Sequence, residues 1–172
     1  MTTTKMSTWQ TNHGEVTASP DILRRLFNAK QATDFEVFHF IQLCRAQRLN
    51  PFMRDAYLIK YGSSPATIVT GKETFTQRAE SHPDYDGMEA GVIVMRGDDP
   101  SPSYLVGTFT LPTDDLVGAW CRVHRKSWGA ALEKSVSRAE YDTGRSLWES
   151  KPATMLEKVA IVQALREAFP RT

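Results

Sequence analysis

Residues 151–170 read KPATMLEKVAIVQALREAFP, and this stretch most constrains what the chain can become. It predicts a helix that begins near Ser150, takes Pro152 into its first turn and ends before Pro170. On a wheel of about 100° per residue, Ile161, Leu165, Phe169, Val162, Met155 and Val159 cover an apolar arc of about 160°. The rest of the chain must supply a surface on which to bury it. Two cations fall inside the arc: Lys158 between Leu165 and Phe169, and Arg166 between Met155 and Val159. Glu157, Gln163 and Glu167 lie on the other side among alanines. Three readings of the two charges stand. Their stems pack while the heads snorkel to the rim. They pair with acids elsewhere in the chain. Or they border a groove filled by an anionic ligand, because a buried unpaired charge is too costly to leave.

The sequence before this helix supplies the surface. SPDILRRLF starts a helix capped by Ser19 with Pro20 in the first turn. TDFEVFHFIQLCRAQRL is a second, with Thr33 and Glu36 in capping-box spacing. Phe38, Ile41 and Leu49 are expected on its buried face, broadened by Phe35 and Phe40, and Asn50-Pro51 stops it. Then the pattern turns to strands. DAYLIKYG and ATIVTG read as an antiparallel pair, and KETFTQRAESH as a short helix. MEAGVIVMRG, SYLVGTFTLP and LVGAWCRVHRK are β-rich runs, the first two separated by the turn cluster DDPSP. GAALEKSVSRAEY is ambiguous, helical by composition and strand by position. Residues 1–18 are polar and read as a loose tail or strap, leaving one domain over 19–172. The order of elements predicts an α+β fold, a small antiparallel sheet with β-hairpins packed against helices.

A length of 172 residues with 41% hydrophobic content suffices for one compact core. No apolar run reaches the length of a membrane span, and the first residues lack the apolar core of a signal peptide. The two cysteines, Cys44 and Cys121, have no pairing pattern, so a reducing cytoplasm is the default. The four histidines are scattered, metal-ligand spacings are absent, and the Gly-Lys of GSSPATIVTGK is followed by Glu without the two-glycine spacing of a phosphate loop. Asp98-Asp99 and Asp114-Asp115 read as exposed turn carboxylates. An enzyme is therefore not expected. The net charge of +1 hides a division: residues 1–72 carry +4, residues 73–115 carry −7 and residues 116–172 carry +4. Any polyanion must meet a local patch.

Basic residues recur beside aromatics. Arg54 follows a helix stop. Arg122, Arg125, Lys126 and Trp128 sit near an expected hairpin tip, and Arg145, Trp148 and Lys151 precede the last helix. This mixture suits single-stranded nucleic acid, with cations on phosphates and aromatic faces on bases. Each also has an ordinary reading. Trp148 fits a core position, Arg122 a cross-strand partner of an acid, and Arg125 with Lys126 a solvated turn.

These pieces in order carry a resemblance. LNPFMRDAYLI, IVTGKETF, YDGMEAGVIV, CRVHRK and WESKPATMLEKVAIVQALREAFP resemble the RecT/Redβ family of phage single-strand annealing proteins, on its Redβ-like side, from about residue 33 to residue 170. The closing set Trp…Pro…Met-Leu…Lys…Ala…Gln-Ala…Arg…Ala-Phe is the most specific part. The resemblance implies annealing of complementary DNA without ATP, with magnesium entering only as a counterion of DNA. It implies homo-oligomeric rings or helical filaments, with single strands and the annealed duplex held in a basic groove through their phosphates. The DNA contacts it carries over are Arg54, Trp148, Lys158 and Arg166, with Lys60, Arg145 and Lys151 matched by neighbourhood. It also makes GAALEKSVSRAEY a strand. Ala153, Thr154 and Glu157 replace basic residues of the Redβ pattern. The family's smaller C-terminal region, which meets a partner exonuclease or the host single-strand binding protein, has no counterpart before Thr172, so neither partner is expected on this chain. The implied setting is the cytoplasm of a bacterial host.

Overall fold

A computed structural model describes residues 5–170. The chain divides into two compact units, residues 1–74 and 75–172. The boundary falls within one helix, α3 (Lys72–Glu80).

The first unit opens with a hairpin of β1 (Ser7–Thr11) and β2 (Gly14–Ala18). This corrects the reading of residues 1–18 as a loose tail; residues 1–4 lie outside those described. The reason is alternation. Trp9 and Val16 face each other across the pair and are both buried, as are Thr11 and Ala18 two positions along. The Trp9 indole donates to the carbonyl of Leu49 at 2.9 Å, so the ring buries its area without stranding its N–H. Gly14 takes φ 100° at the turn.

Helix α1 (Pro20–Leu26) starts as its residues dictate, with the Ser19 hydroxyl accepting from the N–H of Ile22 at 3.2 Å. Helix α2 (Asp34–Gln47) has the full capping box. Glu36 N–H donates to the Thr33 hydroxyl at 3.2 Å, and Thr33 N–H to the Glu36 carboxylate at 2.8 Å. Arg48 ends it in a left-handed conformation, two residues before Asn50, and Pro51 opens a 3-10 turn, Pro51–Met53. The buried face runs through Val37, Phe40, Ile41 and Cys44. Phe35 and Phe38 do not join it; they are 75% and 57% exposed. Strands β3 (Ala56–Ile59) and β4 (Thr67–Thr70) form the expected antiparallel pair.

The second unit is built on a four-stranded antiparallel sheet, ordered β6-β5-β7-β8, from β5 (Tyr85–Met95), β6 (Ser103–Val106), β7 (Asp115–Arg125) and β8 (Leu132–Ser137). One face carries Val92, Val94, Ala119, Cys121, Val123 and Val136 into the core. GAALEKSVSRAEY divides in two: strand up to Ser137, then a short helix α4 (Arg138–Tyr141), because the Ser137 hydroxyl caps the N–H of Ala139 at 3.2 Å. After α5 (Leu147–Ser150), helix α6 (Pro152–Ala168) lies across β7 and β8.

Helix α6 is rotated from the expected orientation. Its buried side runs through Leu156, Ala160, Ile161, Ala164, Leu165 and Ala168. Met155, Val159 and Val162 are only half-buried. Branched valines already fill the sheet face, so the helix approaches on its small side chains. Full burial of Leu156 or Leu165 still contributes about 1.5–3 kcal/mol each. The result is the α+β architecture expected, with small antiparallel sheets packed against helices.

Candidate nucleic-acid interface

The ten residues singled out from the sequence separate into two groups by what their charges already touch. Lys60 is committed within the first unit. Its Nζ lies 2.9 Å from Glu36 Oε1, with the two side chains 6% and 18% exposed. Glu36 also accepts from the backbone N–H groups of Thr33 and Ala66, and these bonds, helped by Lys60, draw its pKa down to about 2. One carboxylate thus joins the start of α2 to the end of β3 and the approach to β4.

In the second unit Arg122, Arg125 and Lys126 are engaged as well. Arg122 reaches Glu133 across the β7–β8 pair at 2.7 Å and Glu89 across the β5–β7 pair at 3.7 Å, with its guanidinium over Trp120. The Glu133 hydrogen bond raises its pKa. Arg125 pairs with Asp84 at 2.6 Å and lies between the rings of Trp128 and Phe169, 4.9 Å from each centroid. Asp84 in turn accepts from the hydroxyl and N–H of Ser127, and its pKa falls to about 2, the Ser127 hydroxyl first among the causes. Lys126 donates to the carbonyl of Pro83 at 3.0 Å. The turn is not a merely solvated one; it is a knot of internal bonds.

The remaining cations have no ion pair with any described residue. Arg54 is exposed in the first unit, in a left-handed conformation (φ 63°) that closes the 3-10 turn. Arg145 and Lys151 are exposed on either side of α5, and Trp148 between them is half-buried against the core of the second unit. Ser146 holds φ 54°, ψ −128°, a conformation rare for a residue with a side chain, which turns the chain into α5. No side chain caps α6, so the first-turn N–H groups that follow Lys151 keep the positive end of the helix dipole uncovered. Lys158 is half-buried and Arg166 exposed. Lys151 and Lys158 are two turns apart on nearly one line, about 10 Å, and Arg166 follows about 12 Å further and about 80° round the helix.

The two charges in the apolar arc are thereby explained. Arg166 stands on the solvent side among half-buried Met155, Val159 and Val162, and Lys158 stands at the rim beside buried Leu165. Ile161, Leu165 and Phe169 of the expected face are buried, but the face continues through Leu156 and the alanines and not through Met155, Val159 and Val162. Other exposed cations without an ion pair to a described residue escaped the sequence reading, among them Arg45 and Arg48 at the end of α2. The signal was present, since both follow the last buried residue of the helix, Cys44.

The model of the RecT family matches residues 3–172. The chain belongs to the RecT family. Among curated proteins, this RecT-family chain is similar to Uncharacterized protein UU154 of Ureaplasma parvum serovar 3, 34% identical over 126 residues. That match covers 73% of this chain and 50% of the relative, so the chain spans about half the length of the curated relative it matches. No helix among the described residues is long and apolar enough to cross a membrane, and no described group of His, Cys, Asp and Glu is placed to hold a metal ion.

Proposed function

We propose that this RecT-family chain is a single-strand annealing protein of homologous recombination, working without ATP and without making or breaking covalent bonds. The observation that carries the reading is the set Lys151, Lys158 and Arg166, which follows α6 from its start along its rim to its outer side, none of them paired with a described carboxylate. Phosphates are the partners such a run lacks, and each contact releases counterions. Arg145 extends the run past Trp148, whose exposed part gives a base or sugar an apolar surface. Arg54, in the first unit, is a candidate phosphate contact in its own right. Lys60, Arg122, Arg125 and Lys126 already have partners within the chain and are secondary to the grip.

In this mechanism the protein lays out single-stranded DNA by its backbone with the bases free. A second strand is sampled by Watson–Crick pairing, so the strands themselves supply sequence specificity. Both the single strand and the new duplex stay bound, and assembly of copies into a ring or filament multiplies weak contacts by avidity. Magnesium enters only as a counterion of DNA. Partner nucleases and host single-strand binding proteins are not needed for this step, which takes place in a bacterial cytoplasm.

The test is the rate at which two complementary labelled oligonucleotides pair. Wild-type protein accelerates pairing; Lys158→Ala and Arg166→Ala slow it at least several-fold, and Arg96→Ala, whose partner is Asp114, leaves it unchanged. Both α6 variants pairing strands at the wild-type rate sinks the assignment. Wild-type protein that binds strands yet retards pairing identifies a protective binding protein instead.

A further inference from the structure

Two apolar surfaces of this chain lie open, and their rims carry opposite charge. The first is the ribbon that runs from edge strand β6 into the following loop. Tyr104, Val106, Phe109 and Leu111 are 53%, 79%, 79% and 46% exposed. Leu105 between them points into the core, which sends Tyr104 and Val106 to the face of the sheet away from α6. Three exposed carboxylates without an ion pair to a described residue, Asp98, Asp99 and Asp115, border this ribbon. Two cations near it are already neutralised: Arg96 by two bonds to Asp114 at 2.8 and 3.1 Å, and Arg122, over the Trp120 ring that Tyr104 touches, by Glu133 and Glu89. This is the most acidic part of the chain, the stretch with net charge −7.

The second surface is the outer face of α2. Phe35 and Phe38 are 75% and 57% exposed, and His39 packs its ring on Phe35 at 6.4 Å. Spacings of three and four residues put these three side chains on one stripe. The stripe ends at Arg45 and Arg48, both exposed and without an ion pair to a described residue. Asp34 at its other end is already held by Arg24 at 2.6 Å. The exposed rim is therefore basic.

We infer that the acidic-rimmed ribbon Tyr104–Leu111 of one copy docks on the basic-rimmed outer face of α2 of a second copy. Each surface is apolar at its centre and charged at its edge, the anatomy of a specific interface. Charge decides the pairing. Ribbon on ribbon sets Asp98, Asp99 and Asp115 against themselves, and α2 on α2 does the same with Arg45 and Arg48. Only the unlike pair brings opposite charges together. Such a contact is heterologous, head to tail, so every copy keeps one free ribbon and one free α2 face. It builds either a closed ring or an open filament. This deepens the assembly named in the proposed function, and it needs no DNA.

The experiment is carried out on the full chain without DNA, by light scattering after size exclusion. Wild-type protein is expected as multi-subunit species that shrink with added salt. Phe38→Glu and Phe109→Glu are each expected to be monomeric, with unchanged circular dichroism and melting showing that they fold. Mixed in equal amounts, the two variants retain one intact pair of surfaces between them and are expected to form a dimer that grows no further. Arg166→Glu, on the outer side of α6, is expected to assemble like wild type. A monomeric wild type, a mixture that stays monomeric, or loss of assembly only in the α6 variant overturns the inference. Assembly that survives while annealing fails overturns the function instead, so the two ideas fall separately.

Discussion

Arg125 Nη1 donates to the carbonyl of Ala168 at 2.8 Å, tying the end of β7 to the last turn of α6. The carbonyl is one of the orphan acceptors at the helix end, and the cation also suits the negative end of the helix dipole. Arg125→Ala removes this charged hydrogen bond and the packing on Trp128 and Phe169. It is expected to destabilise the second unit by about 2 kcal/mol. Urea unfolding measures it. A stability equal to wild type, with weakened DNA binding, returns Arg125 to the DNA surface.

The outer cations of α6 have the opposite signature. Lys158→Ala and Arg166→Ala are expected to keep the wild-type melting temperature. The slope of log affinity for oligonucleotide against log salt is expected to fall by about 1 for each phosphate no longer neutralised. An unchanged salt slope in both rules out phosphate contact.

Glu36 makes the first unit sensitive to acid. Its folded pKa of about 2 lies below the usual unfolded value of about 4.3. A depressed folded pKa contributes stability that is fully present above the unfolded value and is lost as pH falls through the folded one. Between about pH 5 and about pH 2.5 the wild type is expected to lose stability faster than Glu36→Gln. Parallel urea titrations of the two proteins test this; curves that stay parallel through that range refute it.

The small residues of α6 set its distance from the sheet. Ala160→Leu or Ala164→Leu forces the helix outward and is expected to cost about 1–3 kcal/mol. Val162→Leu, on the half-buried side, is expected to change stability by less than about 0.5 kcal/mol. Equal thermal shifts for the three variants contradict the observed orientation of the helix.

Local chemistry made much of the fold legible. Ser19, Thr33 and Glu36 announce helix starts because a cap needs only neighbours in sequence. The pair of DAYLIKYG and ATIVTG is legible for the same reason. Burial is decided by what arrives from elsewhere, and there the reading slips. Phe35 and Phe38 look like core residues, yet Val37, Phe40 and Ile41 take the inward side. Residues 7–18 look like a polar tail because only Trp9, Val16 and Ala18 are apolar, but an alternating strand needs no more than that. Lys60 and Arg125 look free because their acids, Glu36 and Asp84, lie 24 and 41 residues away in the chain.

The alanine side of α6 has a consequence for how such a chain changes over generations. Ala160, Ala164 and Ala168 have no room to grow, so substitutions on that side are screened by folding alone. The outer side answers to no such filter. Lysines and arginines can come and go along it, one at a time, without disturbing the sheet beneath. A change of charge at exposed Thr154 is then a retuning and not a defect. The helix works like a keyboard on a fixed frame, its keys exchangeable because the frame is not.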